Sequence, residues 1–131
     1  MPQATNIVLK DENNSDVTLE LQSPASGYGG IARWVIKGAP MATLFPVLTA
    51  SAVRSSNSNG ANTTLKFRYP STTTPPATGI PVVANAAEMN AKFSMPDQFP
   101  EADKPRLIAL WTSLFQAALI QAMIVDGTPA N

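Results

Sequence analysis

The chain has 131 residues, the size of one domain, and 44% of them are hydrophobic, enough for a packed core. It has no cysteine, which excludes disulfides and thiolate chemistry, and no histidine, which removes histidine acid–base catalysis and most transition-metal sites. Only 14% is charged, against an average near ~25%, so part of the surface is expected to be covered by other subunits.

Met1–Asn6 has neither the basic nor the apolar region of a signal peptide. Asn6 to Leu9 is a short apolar run, and Lys10 to Asn14 has turn composition. Asp16 to Leu21 then alternates, with Val17, Leu19 and Leu21 on one side. These segments predict a β-hairpin over residues 1–22. After a Gly-rich loop, Ile31 to Lys37 is predicted as a strand with Arg33 and Lys37 on one face and Trp34 on the other. Val47 to Arg54 is the next strand, followed by a polar turn over residues 55–62. Thr63 to Tyr69 places Thr64, Lys66 and Arg68 on one face and Leu65, Phe67 and Tyr69 on the other. Pro70 to Pro81 is expected to be a loop, because its four prolines are incompatible with a central strand. Val82 to Met95 is the last strand, with Glu88, Asn90, Lys92 and Ser94 sharing a face.

Asp103 is the predicted N-cap of a helical region over residues 101–126, with Pro105 tolerated in the first turn. Leu107, Leu110, Trp111, Leu114, Ala118 and Ala122 follow helical spacing, and Gly127 is the natural stop. This apolar stripe is wider than a lone surface helix needs, so a second burial partner is expected. The stretch is too short and too amphipathic for a membrane span. The whole reads as one α+β domain over residues 1–131, with a hairpin, a sheet over residues 31–95 and helices on one sheet face.

The zero net charge conceals a segregation. Six of the nine basic residues lie between Arg33 and Lys92, and that span holds a single acid, Glu88. A solvated sheet face is the plainest origin of polar alternation, since antiparallel sheets often keep one wet face. Such faces usually mix signs, however, and a one-signed face points to a polyanion such as nucleic acid. Asp11, Glu12, Asp16 and Glu20 follow no metal-loop pattern and read as surface charge of the hairpin. No nucleophile motif of the G-x-S-x-G type occurs, so no enzyme is expected. Neither a metal nor another cofactor is expected, nor a small-molecule substrate.

The order of these elements resembles the coat proteins of single-stranded RNA bacteriophages, the levivirus type, across essentially the whole chain. The likeness rests on Val53-Arg54-Ser55-Ser56, on Thr64-Leu65-Lys66-Phe67 followed by Pro70, on Asn90-Ala91-Lys92-Phe93-Ser94-Met95-Pro96, and on the tail Gly127 to Asn131. The resemblance implies an N-terminal hairpin, a five-stranded antiparallel sheet and C-terminal helices that cross the sheet of a dimer partner. It further implies an icosahedral shell of T=3 symmetry, packaging of genomic RNA, and repression of replicase translation through an RNA hairpin. The protein would then be a virion component assembled in the host bacterial cytoplasm. The loop between the last two strands would meet its copies around the shell's symmetry axes.

By position, Thr64 and Lys66 match a threonine and a lysine that contact an unpaired adenine and the backbone. Thr49 and Ser51 look like the family's Thr-x-Ser pair, and Asn90 matches an RNA-facing asparagine. Arg68 and Lys92 extend the cationic face, Lys92 standing where the family sometimes has an acid. Arg54 follows one extra residue, and a β-bulge would return it to the face of Thr49 and Ser51. Glu88 departs from the family, standing where an aromatic residue can stack on a base. The family often has Pro or Gly between two helices. Ser113 to Met123 has neither, so any break should fall near Gln116. The rival readings are a self-assembling bacterial surface or pilus-like protein without RNA, and a small dimeric RNA-binding regulator.

Overall fold

In the computed structural model, residues 3–54 and 59–130 are described. The expected polar turn and the end of the Val53–Ser56 motif fall partly on residues 55–58, outside the described residues, as do Met1, Pro2 and Asn131. The chain divides into two compact units, Met1–Met95 and Pro96–Asn131.

The first unit is a six-stranded antiparallel sheet in sequence order. Its strands are β1 (Ile7–Lys10), β2 (Asp16–Ser23), β3 (Ile31–Val35), β4 (Val47–Val53), β5 (Gly60–Thr73) and β6 (Val82–Pro96). The sheet has six strands against the five expected. The cause is that β2 also bonds to β3, through Glu20↔Val35 and Leu21↔Trp34, and draws the hairpin into the sheet. The turn between β1 and β2 is closed by the Asp11 carboxylate, which accepts from the backbone N–H groups of Asn13 and Ser15, each at 2.9 Å.

Alternation decides the two faces. On one, Leu19, Ala32 and Trp34 are buried, with Ile7, Leu21, Leu48, Ala50 and Phe67 packed around them. The indole N–H of Trp34 donates to the Thr5 carbonyl at 2.8 Å, and the Leu21 N–H donates to the Asn6 side chain at 2.9 Å. These bonds tie the N-terminal segment to β2 and β3. Further along the same face the apolar residues are uncovered: Tyr69 is 55% exposed and Met89 56% exposed.

β5 runs through Pro70 to Thr73, four residues beyond the expected end at Tyr69. Its ladder with β4 reaches only Val47↔Arg68, so Pro70 lies past the point where β4 would need its missing N–H. The remaining connection spans residues 74–81.

The second unit holds α1 (Lys104–Gln116) and α2 (Ala118–Asp126), preceded by a 3-10 turn at Glu101–Asp103. Asp103 occupies the N-cap position without a side-chain capping bond. The helices meet at 57° across Ala117, one residue from the expected break. Ala117 is extended (φ −68°, ψ 131°), and its N–H bonds back to the Leu114 carbonyl at 3.2 Å. The Gln121 side chain donates to the Phe115 carbonyl at 3.0 Å, partnering a group left open by the break. Gly127 closes α2 at φ 67°, the left-handed cap expected of it. Neither helix buries a side chain. Among the described residues, no single helix is long and apolar enough to cross a membrane.

Candidate nucleic-acid interface

The polar face of the sheet is assembled by strand register. Directly paired residues point the same way, so the ladder sets out rows across β3, β4 and β5. The first row is Ile31, Ser51 and Thr64. The second is Arg33, Thr49 and Lys66. The third is Val35, Val47 and Arg68. Residues from separate stretches of sequence thus form a small grid of three hydroxyls and three cations, bordered by the apolar Ile31, Val47 and the buried Val35.

β6 completes this face. A shallow depression of about 210 Å³ is lined by Arg33, Val47, Thr49, Lys66, Arg68 and Glu88. Glu88 therefore shares the face of Lys66 and Arg68. Asn90 and Lys92, two and four residues further along β6, follow on the same side by alternation and are exposed.

Side-chain bonds order part of the grid. The register shift between Leu21 and Ser23 leaves Gln22 as an extra residue in β2. The Gln22 side chain accepts from the Arg33 Nε at 3.1 Å, which orients the guanidinium. The Thr49 hydroxyl donates to the Lys66 carbonyl at 3.5 Å. Lys37 lies beyond the end of β3 and pairs at 2.9 Å with Glu20, the β2 neighbour of Val35, so the two charges offset each other at the edge of the grid. Among the described residues, Lys66, Arg68, Lys92 and Glu88 make no ion pair. Three cations and one carboxylate thus remain open to a ligand.

Of the predicted site residues, Thr49, Ser51, Thr64, Lys66 and Arg68 fall in the rows, and Asn90 and Lys92 extend them along β6. Arg54 stands one residue past β4, and the β4–β5 register runs unbroken from Val47 to Val53. The bulge that would return Arg54 to the Thr49 and Ser51 face does not occur within the strand. Two contributors are absent from the predicted set. Arg33 was detectable, since its alternation in β3 puts it opposite Trp34. Gln22 was not, because a register shift between two strands leaves no mark in either strand alone.

Chemically, the face offers ammonium and guanidinium groups to phosphates, and hydroxyl and amide groups to base edges. It has the composition of a surface that contacts single-stranded nucleic acid.

The architecture matches known shell subunits. The fold superposes on the virus-like particle of Beihai levi-like virus 21 with TM-score 0.85 and 18% identity, covering 99% of both chains. It superposes on the virus-like particle of bacteriophage NT-214 with TM-score 0.84 and 23% identity, over 99% of this chain and 100% of that one. For the bacteriophage GA capsid protein the TM-score is 0.72 and the identity 22%, over 93% and 94% of the two chains. No curated protein matches the sequence significantly.

Residues 2–130 match the levivirus coat protein family, and the chain belongs to it. It is a phage capsid protein, a structural component of the virus particle.

Proposed function

We propose that the protein acts as an obligate dimer that builds an icosahedral T=3 shell around single-stranded genomic RNA. In this reading it also represses replicase translation by binding an RNA hairpin, and it assembles in the cytoplasm of the bacterial host. The residues that meet RNA are Thr49, Ser51, Thr64, Lys66, Arg68, Asn90 and Lys92, while Arg54, past the end of β4 and without the bulge, is left out of this set. Lys and Arg hold phosphates, while Thr, Ser and Asn bond to splayed bases.

The observation that carries this reading is the two-sidedness of one sheet. One face is a grid of hydroxyls and cations around Glu88, with Glu20 at its β2 edge already paired to Lys37. The other continues past its small core into exposed apolar surface at Tyr69 and Met89. The helical unit buries none of its own side chains, and Leu110 and Leu119 are 59% and 61% exposed. Both surfaces call for a partner, and a second copy supplies each with the other. β6, a fifteen-residue edge strand, offers a ladder for the twin to join.

Electron microscopy of the purified protein, with the absorbance ratio at 260 and 280 nm (roughly the maxima of bases and aromatic side chains), tests the assembly. Closed shells containing nucleic acid are expected. Fibres free of nucleic acid would favour the pilus-like reading, and discrete dimers the regulatory one. Lys66→Ala and Arg68→Ala are each expected to weaken RNA binding and to lower the log–log salt slope by about 0.7, one phosphate contact on a single strand. An unchanged slope in filter binding would remove these phosphate contacts from the account.

A further inference from the structure

The depression on the polar face holds the only acid of the chain's basic middle, Glu88, beside Arg33, Lys66 and Arg68. On a surface that binds a polyanion, a carboxylate repels phosphate and lowers affinity. Neutralising its neighbours does not account for it, because among the described residues neither Glu88 nor Lys66 nor Arg68 is ion-paired. Both signs of charge therefore face one small volume. The depression, about 210 Å³ and open to solvent, leaves room for a single planar ring system. Val47 supplies apolar surface against the face of such a ring. Gln22 holds Arg33 by its Nε, leaving the outer guanidinium nitrogens for a ligand.

We propose that this depression is a subsite for one unstacked guanine of a bound RNA, read along its Watson–Crick edge by Glu88 together with Arg68. The proposal rests on the reading of this face as RNA-binding and adds which base it selects. An ionised carboxylate only accepts hydrogen bonds, and its two oxygens can take two parallel N–H groups. Guanine alone among the standard bases presents two adjacent donors, N1–H and the N2 amino group, with the O6 acceptor beside them. Glu88 accepts from the two donors, and Arg68 donates to O6. Adenine turns its N1 acceptor toward the carboxylate and is repelled. Uracil flanks its one N–H with carbonyls, and cytosine has only its amino group to give. The carboxylate thus selects by attraction and by exclusion, which accounts for its presence among cations.

The test is fluorescence anisotropy with the purified full-length protein and short labelled uridine oligomers carrying one guanosine, adenosine or inosine. The guanosine oligomer is expected to bind about tenfold tighter than the adenosine one, with inosine, which lacks the N2 amino group, in between. Glu88→Gln should abolish the preference while tightening binding of the plain uridine oligomer, because phosphate repulsion is relieved. Glu88 is exposed, so this substitution leaves the core intact. Lys92→Ala, outside the depression, should weaken all four oligomers alike. Equal affinities in the unsubstituted protein, or a guanosine preference that survives Glu88→Gln, would overturn the subsite and leave the RNA-binding face standing. Failure of every oligomer to bind would overturn the RNA-binding face itself.

Discussion

Trp34 combines two stabilising effects in one side chain. Its ring is 8% exposed within the cluster that includes Leu19 and Ala32, and its N–H is spent on the Thr5 carbonyl. Trp34→Ala is therefore expected to cost about 3–5 kcal/mol, since it removes a large buried ring and leaves a cavity. Trp34→Phe keeps most of the apolar contact and leaves the Thr5 carbonyl without its donor, a loss of about 1 kcal/mol. Urea unfolding of both variants separates packing from hydrogen bonding, and equal losses would contradict this division. On the opposite face the same alternation works in reverse. Lys66 and Arg68 flank Phe67, so one strand feeds the core and the candidate RNA surface together. A one-residue slip of β5 would exchange the two sets, so the core holds the cations in place.

At the scale of elements, the helix break shows how a chain bends without proline or glycine. Ala117 leaves the helical region of backbone space, and two local bonds, from its own N–H to Leu114 and from the Gln121 side chain to Phe115, occupy carbonyls that the break leaves open. At the far end, Gly127 caps α2 in the left-handed conformation, which costs a residue with a Cβ about 1 kcal/mol. Gly127→Ala is expected to lower stability by about that amount, read as a lower thermal midpoint, whereas Asn at this site should be nearly neutral. The strands teach a related lesson. Pro70 reads as a strand breaker, yet β5 passes through it, because β4 has already ended on that side. Whether a proline interrupts a strand depends on the neighbour that would have received its N–H.

For the whole molecule, the segregation of charge is the feature with the largest consequence. A net charge of zero gives no long-range attraction to RNA, while the local face offers Arg33, Lys66, Arg68 and Lys92 together. RNA binding should therefore fall steeply with added salt even though the protein as a whole is neutral. On a logarithmic plot the slope should be about 0.7 for each phosphate engaged on a single strand. A flat salt response would mean that the face is solvated surface and that the shell holds its contents by other means. Uncovered apolar area on both units leads to a second whole-molecule expectation. Dilution that separates the subunits should unfold them rather than release a stable monomer, so the denaturation midpoint should rise with protein concentration. A midpoint independent of concentration would point to a self-sufficient monomer.

Much of this was legible in the linear order of residues. Alternation along residues 63–69 and 82–95 assigned Lys66, Arg68, Asn90 and Lys92 to one side. Helical spacing located the terminal helices, and Gly127 marked their end. Those signals are local, since a strand or helix repeats its pattern within a few residues. The grid was not legible, because it depends on register between distant segments. Arg33 stands beside Thr49 and Lys66 only through two ladders, and Gln22 reaches Arg33 only through a shift between β2 and β3. The inclusion of the hairpin in the sheet and the passage of β5 through Pro70 follow from the same cause. Side-chain direction is encoded one strand at a time, but hydrogen-bond pairing is settled between strands, and there the folded chain chose which charges would meet.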